Sequence, residues 1–123
     1  MKLYKQQIIQ IFTNVKHLMV YRGIWYDGTE NNSLFKQWNI EGTLSIIGYY
    51  DKNGEKDKEW RHYDRTERLW KIENYKHGKR FGEWKFFNSN GLWKKVKYDD
   101  DENIIYYATW DDDGNKSVEI DEE

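Results

Sequence analysis

Three side chains could carry acid–base or metal chemistry, because imidazole titrates near neutral pH and ligates metals through a ring nitrogen. His17, His62 and His77 lie far apart and share no ligand spacing, so they read as surface residues. Asp111-Asp112-Asp113-Gly114-Asn115 has the acid-and-glycine form of a calcium loop. An EF-hand loop set on Gly114 would close at Ile120, where the ion needs a bidentate Glu, so a hairpin turn with solvated acids is expected instead. The run Asp99-Asp100-Asp101-Glu102 reads the same way. Gly78-Lys79-Arg80-Phe81-Gly82 is glycine-rich and basic, but a phosphate cradle opens a helix and here a strand follows. It reads as a hairpin connector. The sequence has no Cys, hence no thiolate nucleophile or disulfide, and no dinucleotide loop, P-loop or nucleophile elbow. A non-catalytic protein that uses no cofactor and no metal is expected.

Residues suited to binding are plentiful. Trp60, Trp70, Trp84 and Trp93 recur through the chain, and exposed Trp is a frequent interface hot spot. The net charge of −2 conceals an asymmetry: residues 99–123 hold eleven acids against one Lys, while residues 1–98 hold nineteen cations against eleven acids. The acids Asp99, Asp100, Asp101, Glu102, Asp111, Asp112 and Asp113, with Trp60, Trp70 and Trp93, are the candidate surface for a basic protein partner, since complementary charge speeds encounter. The same acids could instead fold back on the basic body. Lys76, Lys79, Arg80, Lys94, Lys95 and Lys97 are the candidate set for an anionic ligand, either lipid headgroups or nucleic acid. The adjoining acidic segment weighs against both ligands. Charge reversal within 99–113 is expected to impair binding, and deletion of 115–123 to leave the fold intact.

The elements that position these residues follow from composition and spacing. At 123 residues with 37% hydrophobic and 34% charged residues, aliphatics are scarce, but seven Trp, ten Tyr and five Phe supply large buried areas. Tyr26, Tyr50, Tyr75 and Tyr98 are spaced by 24, 25 and 23 residues, each followed by an aromatic strand and most by a turn residue such as Gly42, Gly91 or Gly114. Glu67 stands where that glycine is missing. Ile72 and Val96 sit one position out of phase. The pattern predicts a mainly β fold, an elongated antiparallel meander of about four hairpin repeats (26–49, 50–74, 75–97 and 98–120) ending in an acidic tail, 121–123. Residues 1–25 form a capping segment, with Leu3, Ile8, Ile11, Phe12, Val15, Leu18 and Met19 at helical spacing; this short helix either caps the sheet or docks a partner. Edge strands at either end could pair copies into homo-oligomers. No stretch is long and apolar enough for a membrane helix or a secretory signal, and the lack of Cys suits a reducing, cytoplasmic location.

The segment 75–91, with Tyr75, Gly78, Gly82, Trp84 and Asn90-Gly91, resembles a MORN-type repeat, in the variant of the bacterial YwqK-type antitoxin family. The segment 50–60 is similar but has Lys58 where that pattern has its second glycine. The resemblance implies a hairpin-repeat fold and a binding role, as an antitoxin or immunity-type protein that blocks a partner. Lipid-surface binding, proposed for some MORN repeats, is the alternative it implies.

Overall fold

The computed structural model describes residues 24–28 and 32–123, with side chains described from Ser33 onward. The expected N-terminal helix lies outside the described residues. Strands run β1 Ile24–Gly28, β2 Asn32–Trp38, β3 Leu44–Asp51, β4 Lys56–Tyr63, β5 Leu69–Lys76, β6 Lys79–Arg80, β7 Gly82–Asn88, β8 Gly91–Tyr98, β9 Ile104–Trp110 and β10 Lys116–Asp121. Every neighbouring pair is antiparallel and the sheet is one open meander in chain order; only the two-residue β6 leaves that path, pairing with β5. The mainly β, antiparallel fold expected from the tyrosine spacing is the fold observed.

One loop design recurs. In the 39–43, 51–55, 64–68, 99–103 and 111–115 loops the first backbone N–H donates to the fifth carbonyl, and the fourth N–H to the first carbonyl. The first residue is always Asn or Asp, and its side-chain oxygen accepts the N–H of the third and fifth residues. Short polar side chains that fold onto their own backbone in this way favour turns over continued strand. Asp113-Gly114 was expected to form a tight hairpin turn; it is instead part of the wider 111–115 loop, because Asp111 organises the turn from two residues upstream.

Paired residues share a face, so the register assigns each side chain. Trp84, Val96, Tyr107 and Ile120 lie opposite one another across β7–β10 on one face, with Trp60 opposite Glu73 on the same side. This aromatic face holds the core: Trp60 (2% exposed), Trp84, Val96 and Tyr98 are buried. Ring pairs stitch it across strands, with Trp60 against Phe35 and Tyr50 at 5.5 and 5.0 Å, and Trp84 against Tyr75 and Tyr98 at 5.2 and 5.5 Å. Each buried indole N–H is satisfied by a carbonyl, Trp60 by Tyr49 and Trp84 by Asn74. Gly48 is required beneath Trp60, because a Cβ there would stand 2.1 Å from the indole.

The opposite face is charged. Lys95 pairs with Glu83 at 2.5 Å, Lys97 with Glu123 and Lys116 with Glu119 at 2.6 Å each, and Arg61 pairs with Glu59. Ala108, fully buried, sits there between its register partners Lys95 and Glu119. Ile72 and Val96, one position out of phase in the sequence, are on opposite faces: Ile72 pairs with Lys85 and Val96 with Trp84. The last strand runs through Asp121, and the Glu122 N–H donates to the Ile105 carbonyl, so sheet pairing extends into the expected acidic tail.

Candidate protein-binding surface

The candidate surface begins with an irregularity in the hairpins. In five strand pairs the second strand carries one extra residue: Ser45 in β3, Trp70 in β5, Trp93 in β8, Ile105 in β9 and Ser117 in β10. A bulge re-aims the side chain it carries and bends the strand. Two of these positions hold small Ser, one holds Ile and two hold Trp, which explains why Trp70 and Trp93 are 41% and 37% exposed while Trp60 and Trp84 are buried. The repeated Leu69-Trp70-Lys71 and Leu92-Trp93-Lys94 marks the two sites in the sequence.

Across the sheet, His62, Lys71, Phe86, Lys94 and Thr109 form one continuous row on the aromatic face, flanked by the two tryptophans. Trp70 packs edge-on against His62 with centroids 5.9 Å apart, and the Lys71 ammonium sits 5.1 Å from the Trp70 ring. Trp93 packs on Phe86 at 6.2 Å, and Lys94 lies 5.0 Å from Phe86, 5.5 Å from Tyr107 and 5.9 Å from Trp93. A cation over aromatic faces is held without an acidic partner.

Beneath this row is Glu73, only 5% exposed. Its carboxylate accepts from His62 Nε2 at 2.6 Å and pairs with Lys71 Nζ at 3.3 Å. Burial pushes the Glu73 carboxyl upward, but the His62 hydrogen bond and charge, together with Lys71, outweigh it and hold the group at about 2. Burial and the Glu73 carboxylate in turn push the Tyr75 phenol upward. The buried carboxylate fixes His62 and Lys71, and these two fix the Trp70 ring. His62 was expected at the surface; it is mostly buried, because its strand position places it opposite Lys71 and over Glu73.

The remaining candidates fall elsewhere. Trp60 belongs to the core, and its ring cannot meet a partner. Asp99 and Asp111 spend their carboxylates on backbone N–H groups of their own loops. Asp101, Asp112 and Asp113 are exposed at loop tips. Asp100 pairs with Lys76 at 2.9 Å, and Glu102 accepts from the Arg80 backbone N–H at 3.0 Å and stands 3.4 Å from its guanidinium. Arg80 also lies over the Tyr98 ring at 4.8 Å. With Lys95 and Lys97 paired to Glu83 and Glu123, most of the basic set is occupied by the protein's own acids. Lys94 alone of that set reaches the tryptophan row, while Lys79 is exposed on β6. Glu73, Lys71 and Phe86 were not legible as site residues, because only the strand register makes them neighbours.

Among the described residues no group of three or more His, Cys, Asp or Glu is placed to hold a metal ion, and no helix is long and apolar enough to cross a membrane. The chain matches no protein-family model, no curated protein and no solved structure.

Proposed function

We propose that the chain is a non-catalytic protein-binding module whose docking surface is the row bounded by Trp70 and Trp93. The observation that carries this reading is the exposure of two large rings at recurring bulges in a sheet that buries its other central tryptophans. Held by Lys71, His62 and Phe86, these rings lose little further freedom on binding, the condition under which a hot-spot tryptophan contributes most. Lys94, over three aromatic rings and without an acidic partner among the described residues, favours a carboxylate on the other side. In the antitoxin or immunity-type role that the resemblance to YwqK-type proteins implies, the row covers a surface of a cytoplasmic toxin and blocks it. Lipid-headgroup or nucleic-acid binding is the weaker reading, since Lys76, Arg80, Lys95 and Lys97 already have acidic partners.

The test is affinity purification from the native host at low and high salt, with wild type and the Trp70→Ala/Trp93→Ala variant. A stoichiometric protein retained by wild type at high salt, and weakened about 30-fold or more by the double substitution, supports the reading, as the loss of a single hot-spot ring already costs about 2 kcal/mol. Equal retention by a variant of unchanged circular dichroism rejects it. Material released by salt alone would favour lipid or nucleic acid.

A further inference from the structure

The last strand departs from a pattern that β3, β5 and β8 share. In β3, β5, β8 and β10 a position on the aromatic face lies three residues beyond the bulge: Gly48 after Ser45, Glu73 after Trp70, Val96 after Trp93 and Ile120 after Ser117. The first three are buried, Glu73 at 5% and Val96 at 4% exposure, whereas Ile120 is 52% exposed. The cause is the neighbour. β4, β7 and β9 lie alongside the first three and bring rings against them, as Tyr107 stands opposite Val96 and the Trp60 indole covers Gly48. Among the described residues no strand lies on the outer side of β10. Val118 on the same face is likewise 46% exposed, and all six residues of β10 are exposed.

An unpaired strand edge is a template for another strand, which proteins commonly blunt with charge. Here the charge has one sign. Residues 116–123 carry Glu119, Asp121, Glu122 and Glu123 against Lys116 alone. Glu119 and Glu123 form ion pairs with Lys116 and Lys97, while Asp121 and Glu122 form none among the described residues. A second copy paired antiparallel at this edge would set Glu119 and Asp121 of both chains close together, which opposes self-assembly. A strand bearing cations meets no such barrier.

We propose that the outer edge of β10 takes up a cationic β-strand of a partner protein. Lys or Arg side chains of that strand would pair with Glu119 and Asp121 on the charged face. The intervening apolar or aromatic residues would cover Val118 and Ile120, as Tyr107 covers Val96. Main-chain hydrogen bonds supply affinity in such strand addition, and alternate side chains supply specificity. This surface is distinct from the tryptophan row, so either can fail without the other.

The experiment titrates the isotopically labelled full-length chain with an acetylated, amidated peptide alternating Lys with Val and Trp. Shifts in the amide resonances of residues 116–122, with slowed hydrogen exchange there, are expected. Glu119→Lys/Asp121→Lys should weaken binding by about tenfold or more, the order of effect for removing complementary interfacial charge. Ile120→Asp should weaken it as well. Both variants alter exposed positions, and unchanged amide spectra elsewhere confirm that they fold. Shifts confined to the Trp70 and Trp93 row, no added protection in β10, or equal affinity for the charge-reversed variant would overturn the proposal.

Discussion

A left-handed backbone costs a residue with a Cβ about 1–2 kcal/mol, and the chain adopts it at equivalent places with and without glycine. The fourth loop residue is Gly42 (φ 84°), Gly54 (φ 79°) and Gly114 (φ 82°), but Glu67 (φ 65°) and Glu102 (φ 64°) in the other two loops. Two residues before Trp84 stands Gly82 (φ 67°); two residues before Trp60 stands Lys58 (φ 62°). The conformation is thus imposed by the loop and strand geometry, and the non-glycine residues bear the strain. Glu67→Gly and Lys58→Gly should each stabilise the fold, by up to about 1 kcal/mol after the greater chain entropy of glycine is subtracted. Glu102 is a poorer choice because it bonds Arg80. The reverse logic applies to Gly48. Gly48→Ala drives a methyl into the Trp60 ring and should destabilise by about 1–3 kcal/mol. Chemical denaturation with Trp fluorescence measures all three.

Among elements, β5 carries a buried carboxylate onto the aromatic face, opposite Trp60. Glu73 occupies the position that Val96 fills in β8, and its ionised form is tolerated because β4 supplies His62 and β5 itself supplies Lys71. Since the folded carboxyl is held at about 2, below the ordinary 4.5, its contribution is present above pH 4.5 and is lost as pH falls from 4.5 towards 2. Glu73→Gln should flatten the acid side of the stability–pH curve within that window. Glu73→Ala, which leaves His62 and Lys71 without their anion, should cost about 3 kcal/mol and release the Trp70 ring. Thermal melts from pH 2 to 7 and Trp70 fluorescence report the two effects. β10 contributes least, all six of its residues being exposed, so deletion of 115–123 should leave β2 to β9 folded while uncovering Ala108.

At the scale of the molecule, loops at one end of the strands lace successive hairpins together. The His77 backbone N–H donates to Asp57, its ring Nδ1 lies 2.9 Å from Asp51, and the Gly78 N–H donates to the Lys56 carbonyl. The next link is Lys76 to Asp100 and Arg80 to Glu102. The hydrogen bond to Asp51, then the charge of Asp57, raises the His77 pKa above 6.5. Its stabilising charge is therefore fully present below pH 6.5 and is lost as pH rises through the raised value. His77→Gln should remove that dependence above pH 6.5 while keeping the fold, as measured by hydrogen exchange in the 51–57 and 77–80 segments. Three acids of the segment 99–123, Asp100, Glu102 and Glu123, are in this way counter-charges of the body, and added salt should loosen these exposed links first.

Turn residues and recurring aromatics by themselves determined the antiparallel hairpin meander, because Asp, Asn and Gly at loop positions and rings at strand positions act through local geometry. They also marked Glu67 as a departure from a glycine pattern, as the resemblance to MORN-type repeats marked Lys58, and both positions prove to be left-handed. The choice of which tryptophans are buried was not legible. Trp60 and Trp70 differ by a bulge, and a single extra residue in a period-two strand changes where the ring is aimed. Nor could the chain reveal that Glu73, His62 and Lys71 meet, since 11 residues separate His62 from Glu73 and only strand pairing closes that gap. The division of the charges was decided by register too: acids and basic residues 22 to 26 positions apart became partners, leaving the tryptophan row and the β10 edge exposed.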